Sequence, residues 1–119
     1  MTEHVRTLVL NWVAAINDKN LDKLIACYDE QAVHYSPKLK QLHPESQGRV
    51  EGHVALRAWY ADAMQRLPKL HYEVVRTTVE KEAVFLEYIR HNPGDEPMQV
   101  GEFFQVKEGR IHASRVYHS

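Results

Sequence analysis

Apolar residues near the start of the chain recur at the spacing of an amphipathic helix. Over residues 5–16 they return at i, i+3, i+4 and i+7, which is the period of a helix with one buried face. A polar break at residues 17–20 ends this pattern, and Asn20 is a residue type that caps the start of a helix. The apolar positions of residues 21–28 therefore predict a short second helix.

The middle of the chain predicts a strand, a long loop and a third helix. Residues 32–37 alternate, are rich in strand formers and end on a proline, which indicates a strand. Residues 38–51 show no usable period, and a loop of this length is typical of a lid or an entrance. A helical stripe follows over residues 52–67, and the next proline ends it.

The second half of the chain shows the alternation of β-strands. Four strands are predicted, at residues 70–80, 83–91, 98–106 and 110–118. Helices followed by consecutive strands predict an α+β fold, with three helices packed on one face of a curved, mostly antiparallel sheet. This arrangement is a cone with a pocket at its mouth. We expect one domain over residues 1–119.

Composition and charge narrow the classes of function. Of 119 residues 44% are hydrophobic, enough for one core, and the net charge is -1 with both signs interspersed. Without a basic patch, nucleic acid is not an expected partner. No stretch predicts a membrane span or a signal peptide. Cys27 is the single cysteine, so we expect no internal disulfide and a cytoplasmic location.

Two glutamates, Glu87 and Glu102, interrupt the apolar strands of a predicted β-hairpin. If the turn at residues 92–97 closes with His91 opposite Met98, the two glutamates face each other on one side of the sheet. A slip of two residues would keep them on that face, whereas a slip of one would separate them. The pairs expected from this register are Phe85 with Phe104, Glu87 with Glu102, and Ile89 with Val100.

Carboxyl groups paired in this way would share one proton. Burial raises the pKa of each and coupling separates the two values, which leaves an acid beside a base. The pattern leaves an alternative open, in which one glutamate is exposed or pairs with an arginine such as Arg115 on the last strand.

Three stretches carry a resemblance to a known family. They are WVAAINDKNLDKLIACYDEQAV at residues 12–33, GHVALRAWY at residues 52–60 and EGRIHASRVYH at residues 108–118. With the strand pattern, they resemble the NTF2-like superfamily, in particular its SnoaL-like and ketosteroid-isomerase-like branch. The resemblance implies an NTF2-like (cystatin-like) cone but no single reaction, because this fold serves isomerases, dehydratases, cyclases, hydrolases and binding domains.

Ketosteroid isomerases have three functional positions, and the resemblance implies that this chain keeps the same chemical type at one of them. It places Ser36 where those enzymes have a catalytic aspartate, and Trp12 where a tyrosine donates to the enolate. Glu102 matches their protonated aspartate, a carboxylic acid kept neutral by an apolar site. The chain is therefore not expected to be a literal ketosteroid isomerase.

Candidate site residues follow from the pattern and the resemblance together. Glu102 and Glu87 are the expected acid/base pair, and His34 is an auxiliary because it shares the strand face that this family turns toward the pocket. Alternatively, His34 is a buried histidine bonded to backbone, and His118 belongs to a frayed terminus. The expected pocket residues are Trp12, Ile16, Ser36, Trp59, Tyr60, Phe85, Ile89, Val100, Phe104 and His118.

No metal site and no cofactor is expected. None of the eight histidines forms the i, i+4 helical pair of a zinc motif, and no phosphate-binding glycine loop or dinucleotide motif is present. We predict a cofactor-independent acid/base enzyme of isomerase, dehydratase, cyclase or hydrolase type, acting on a small apolar ring-containing molecule. The alternatives are a non-catalytic protein that binds a small hydrophobic ligand, and an association domain.

Apolar residues on the predicted outer face of the sheet indicate a partner. Tyr88, Phe103, Tyr117 and Val75 would otherwise face water, so we expect a homodimer through this face under each hypothesis.

Overall fold

Helices occupy the first half of the chain and strands the second. The computed structural model describes residues 2–118, and the side chains of residues 3–117. The helices are α1 (Thr2–Asn17), α2 (Leu21–Ala26), α3 (Pro37–Leu42) and α4 (His53–Arg66), with a 3-10 turn at Pro44–Ser46. The strands are β1 (Tyr28–Tyr35), β2 (Arg49–Glu51), β3 (His71–Glu80), β4 (Ala83–His91), β5 (Met98–Lys107) and β6 (Arg110–His118).

The strands form one curved sheet in the order β2-β1-β6-β5-β4-β3. β1 and β6 are parallel, and the other neighbouring pairs are antiparallel. α1 packs on β3 and β4, while α4 packs on β1 and β2. The prediction of an α+β fold with a mostly antiparallel sheet is confirmed. No helix within residues 2–118 is long and apolar enough to cross a membrane.

The first two helices form largely where the pattern predicts them. The apolar stripe of α1 is buried, with Val9 0% and Trp12 1% exposed. Asn20 caps α2, because its side-chain oxygen accepts a hydrogen bond from the backbone N–H of Lys23 at 3.1 Å. α2 ends before Tyr28, which instead begins β1 and is fully buried. The predicted second helix is therefore too long at its C-terminal end.

Residues 38–51 were predicted as a loop, and they contain most of α3, the 3-10 turn and β2. The start of α3 has a sequence signal. The Ser36 hydroxyl caps the helix by accepting from the backbone N–H of Lys38 at 3.2 Å, and Pro37 takes the first helical turn. Serine followed by proline is typical of a helix start, so this proline begins a helix as well as ending a strand.

The β4–β5 hairpin has a register different from the predicted one. Arg90, and not His91, lies opposite Met98, so the pairing is shifted by one residue from the predicted register. Glu102 therefore lies opposite Leu86, and Glu87 lies opposite Gly101. A register shift of one residue between two strands exchanges the inward and outward side chains of one strand relative to the other. The predicted pairing of the two glutamates is wrong.

Candidate active site

A cavity of about 680 Å³ lies between the helices and the inner face of the sheet. This volume is in the range of pockets that hold small organic molecules. Its walls are mainly apolar and aromatic, with contributions from α1, α4 and the inner faces of β4 and β5. Two titratable side chains in the wall, Glu102 and His34, are almost entirely buried, at 1% and 3% exposure.

Glu102 is placed in the wall by the alternation of β5, which turns it inward with Val100 and Phe104. Its Oε1 accepts a hydrogen bond from the Tyr88 hydroxyl at 3.0 Å. Its Oε2 is buried and has no hydrogen-bond partner among the described residues. Burial raises the pKa of Glu102 to about 8, although the Tyr88 hydrogen bond opposes the rise. At neutral pH the side chain is therefore a carboxylic acid that can donate a proton.

His34 lies beside this acid. It is opposite Ser114 on the parallel strands β1 and β6, and its Nδ1 is 2.7 Å from the Ser114 hydroxyl. The same Nδ1 is 3.8 Å from Glu102 Oε2. Burial lowers the pKa of His34 to about 4, so the ring is neutral at neutral pH. The neutral acid Glu102 and the neutral base His34 thus lie side by side in the cavity wall, and they do not form an ion pair at neutral pH.

A chain of aromatic hydroxyls supports the wall next to this pair. The Trp12 indole N–H donates to the Tyr28 hydroxyl at 2.9 Å, and the Tyr28 and Tyr60 hydroxyls are 2.7 Å apart. Burial raises the pKa of Tyr60 well above its ordinary value, which keeps this hydroxyl protonated. Because Tyr60 also lines the cavity, its hydroxyl can hydrogen-bond to a bound molecule.

Most of the predicted pocket residues line the cavity. They are Trp12, Ile16, Ser36, Trp59, Tyr60 and Val100, together with Glu102 and His34. Phe104 is fully buried and packs edge-on against Trp12, with ring centroids 5.0 Å apart, so it supports the wall from behind and does not line the cavity. The side chain of His118 lies outside the described residues.

Three residues predicted to line the pocket or to act in it, Glu87, Phe85 and Ile89, lie on the outer face of the sheet. Their placement follows from the hairpin register. The Glu87 side chain is 39% exposed and lies 3.5 Å from Arg76 on β3. The alternative of an exposed glutamate beside an arginine is therefore the correct one for Glu87. The arginine differs from the expected Arg115, whose guanidinium lies 4.0 Å from the Tyr35 ring centroid.

Tyr88 was predicted on the outer face, but it lies on the inner face and is 3% exposed. It stacks on Tyr72, with ring centroids 4.3 Å apart, and both rings line the cavity. Arg90 and Met98 lie nearer the hairpin turn in the same wall. Alternation groups Tyr88 and Arg90 with Leu86 on one face of β4, but it does not show that this face is the inner one.

No group of three or more histidine, cysteine, aspartate or glutamate side chains is arranged to hold a metal ion within the part of the chain that the structure describes.

Comparison with known proteins gives one family match. The sequence model of the SnoaL-like domain matches residues 9–113. No curated protein matches the chain.

Solved structures share the fold along nearly the whole chain. A SnoaL-like protein of unknown function from Burkholderia thailandensis is 22% identical, with a TM-score of 0.89 over 100% of this chain and 97% of that one. A proposed ketosteroid isomerase from Kribbella flavida is 17% identical, with a TM-score of 0.80 over 99% and 79%. A proposed polyketide cyclase from Sinorhizobium meliloti is 20% identical, with a TM-score of 0.78 over 93% and 94%. At these identities the likeness establishes the fold alone.

Proposed function

Because this chain belongs to the SnoaL-like domain family, we propose that it is a cofactor-independent acid/base enzyme acting on a small, apolar, ring-containing molecule. The observation that carries the proposal is the environment of Glu102. Its Oε2 is buried without a partner and lies 3.8 Å from His34, in the wall of a cavity large enough for such a molecule. A polar atom left unpaired in a buried site costs free energy, which a ligand that bonds to it would recover.

The proposed chemistry is a proton transfer with Glu102 as the acid. Glu102 donates its proton to an oxygen of the substrate, such as a carbonyl, while the neutral His34 ring accepts a proton released from the substrate. The Tyr60 hydroxyl stabilises the negative charge that develops on the substrate oxygen. His34 takes the role predicted for Glu87, because Glu87 lies on the other face of the sheet.

The aromatic wall favours a ring-containing substrate. Trp12, Tyr72 and Tyr88 present flat apolar surfaces to the cavity, and the faces and edges of aromatic side chains pack well against another ring. An isomerase or cyclase type of reaction is consistent with this site, and these are the activities proposed for two proteins of the same fold.

A ligand screen followed by paired substitutions tests the proposal. Ring-containing carbonyl compounds are screened by the rise in melting temperature, since a ligand that binds only the folded protein stabilises it. Compounds that bind are then assayed for turnover. We expect Glu102→Gln to abolish turnover and to retain binding, and Glu87→Gln, the matched control on the same hairpin, to keep both. Binding with no turnover by the unmodified protein would favour a non-catalytic pocket protein.

We also propose that the outer face of the sheet pairs with a second copy of the chain. Val75 is 54% and Tyr117 53% exposed, and they border a shallow groove that includes Phe85 and Gly101 together with the polar Glu87 and Gln99. Apolar patches of this kind in contact with water are typical of association surfaces. Light scattering should show a dimer that Val75→Glu dissociates, and a monomeric unmodified protein would contradict the proposal.

A further inference from the structure

Arg90 has unused hydrogen-bonding capacity at the rim of the cavity. It lies on the inner face of β4, its side chain is 22% exposed, and it lines the cavity. Among the described residues its guanidinium makes no hydrogen bond, and its ionic contact is with Asp95 Oδ2 at 3.6 Å, which is too long for a hydrogen bond. An arginine has five N–H donors in a planar fork, so most of these donors are free to bind a ligand.

Of the other lysine and arginine side chains in the cavity wall, Lys38 is exposed to solvent, and Lys19 and Arg66 have partners within the protein. Lys19 Nζ donates to the backbone carbonyls of Ile16 and Leu70. Arg66 Nε donates to Asp62 Oδ2 at 2.7 Å. Arg90 therefore differs from Lys19 and Arg66, because its nearest counter-ion, Asp95, lies beyond hydrogen-bond distance and leaves its N–H donors free.

The loop that carries Asp95 explains why the contact with Arg90 stays long. Asp95 Oδ2 accepts a hydrogen bond from the Asn92 side chain at 2.9 Å, so this carboxylate is already held within its own turn. The positive charge of Arg90 reaches the aromatic wall, where it acts against the rise in the pKa of Tyr72. An anion placed between this wall and the rim would meet Arg90 directly.

We propose that the natural ligand of this cavity is an organic acid, whose carboxylate pairs with Arg90 while its ring lies against Tyr72 and Tyr88. This inference rests on the proposed function, since it names the substrate class of the same site. The planar guanidinium matches a carboxylate with two parallel hydrogen bonds, a geometry that a lysine ammonium does not offer. Protonation of Glu102 at neutral pH removes its negative charge from the cavity wall, and the other carboxylates of the wall, Asp95 and Glu96, lie in the hairpin turn next to Arg90.

The position of Arg90 along β4 determines where the carboxylate of the ligand lies in the cavity. Arg90 lies four residues along β4 from Leu86, the residue opposite Glu102, and this corresponds to about 13 Å of strand. The acid group of the ligand is therefore remote from the atoms that react. Its pairing with Arg90 positions the ring and leaves the chemistry to Glu102 and His34.

Matched pairs of an acid and its neutral amide test the inference. The probes are 2-naphthoate and 4-biphenylcarboxylate with the corresponding amides, and calorimetry at pH 7 and low salt measures their dissociation constants. We expect at least one acid to bind about tenfold or more tightly than its amide, since charge-assisted bidentate pairs are the strong ones. If no acid binds more tightly than its amide, the proposal is wrong.

Single substitutions identify the residue that causes the preference for the acid over its amide. Arg90→Gln should remove the preference for the acid and keep binding of the amide, which also shows that the variant is folded. Arg66→Gln removes the same charge from the same cavity but should keep the preference, because Arg66 is bonded to Asp62. Loss of the preference in both variants, or in neither, contradicts a specific pairing with Arg90.

Asp95→Asn gives an independent test in case Arg90→Gln does not fold. Removing this competing carboxylate should tighten binding of the acid and leave binding of the amide unchanged, and no change for the acid counts against the proposal. The inference and the proposed function can fail separately. Acids that bind through Arg90 but are never turned over would end the enzyme proposal alone, and turnover of neutral compounds with no preference for acids would end the inference alone.

Discussion

Glu87 and Glu102 lie on the same hairpin and have opposite environments. The Glu87 side chain is 39% exposed beside Arg76 on the outer face, and Glu102 is 1% exposed in the cavity wall. Glu102 consequently has its pKa raised to about 8 by burial. The two residues have the same chemistry and similar flanking sequence, so the difference arises from the face of the sheet on which each lies.

This contrast shows that strand register decides which carboxyl group can be reactive. An odd change in the number of residues between two strands exchanges the inner and outer positions of one strand relative to the other. Buried carboxyl groups have perturbed pKa values that suit proton transfer, whereas exposed groups in surface ion pairs do not. Substitutions at the two positions should therefore give very different results.

The largest difference is expected in turnover. On a compound that the protein converts, Glu102→Gln should lower kcat by about 100-fold or more, because it removes the proton donor and keeps the shape of the side chain. Glu87→Gln should change kcat by less than about twofold, since this side chain faces away from the cavity. Steady-state kinetics of the two variants check this, and a similar loss in both would contradict the separation of the two faces.

The next largest effect is on stability at neutral and alkaline pH. Between pH 4.5, the ordinary pKa, and pH 8, the unfolded chain has lost the Glu102 proton while the folded protein keeps it. Each pH unit in this window therefore lowers the free energy of unfolding by about 1.4 kcal/mol, a contribution that Glu102→Gln lacks. Denaturant unfolding at pH 5 and pH 8 should show the variant gaining stability over the unmodified protein as the pH rises.

His34 should give a smaller effect with the opposite sign. Its pKa is lowered from 6.5 to about 4 in the folded protein, so between these values the unfolded chain binds a proton that the folded protein does not. Stability is lost as the pH falls through this window, by about 1.4 kcal/mol per unit. Unfolding of His34→Gln at pH 4.5 and pH 6.5 should lack this dependence, and an unchanged dependence would mean that His34 is not buried and neutral.

The smallest effect is expected at the Arg76–Glu87 contact. Both side chains are more than a third exposed and lie 3.5 Å apart, so solvent screens their attraction. A double-mutant cycle with alanine at both positions, measured at a concentration at which the chain is monomeric, should give a coupling of at most about 0.5 kcal/mol. A coupling of several kcal/mol in the monomer would contradict the exposed position of Glu87.

Helices and strand alternation could be predicted because they depend on local sequence. The buried stripe of α1 and the cap at Asn20 follow directly from residue type and spacing. The orientation of His34 and Ser36 toward the pocket was instead implied by the family resemblance, and both residues line the cavity. The helix in the predicted loop is not evident from periodicity, because the proline after Ser36 can end a strand as well as begin a helix.

Local sequence does not show which face of the β4–β5 hairpin is turned toward the cavity. Both faces of β4 are apolar, with Leu86 and Tyr88 on one side and Phe85 and Ile89 on the other, so alternation alone does not distinguish the inner from the outer side. Gly101 is consistent with Phe85 on the outer face. A Cβ atom at position 101 would lie 2.4 Å from the Phe85 ring, so only glycine leaves room for this ring there.

Whether Glu102 is a neutral acid in the cavity wall is tested most directly by an NMR titration of its side-chain carboxyl carbon, assigned by comparison with Glu102→Gln. We expect a midpoint near pH 8, because the group is buried in the cavity wall and protonated at neutral pH. A midpoint near 4.5, the ordinary value, would mean that water reaches this carboxylate and that the cavity has no neutral acid to donate a proton.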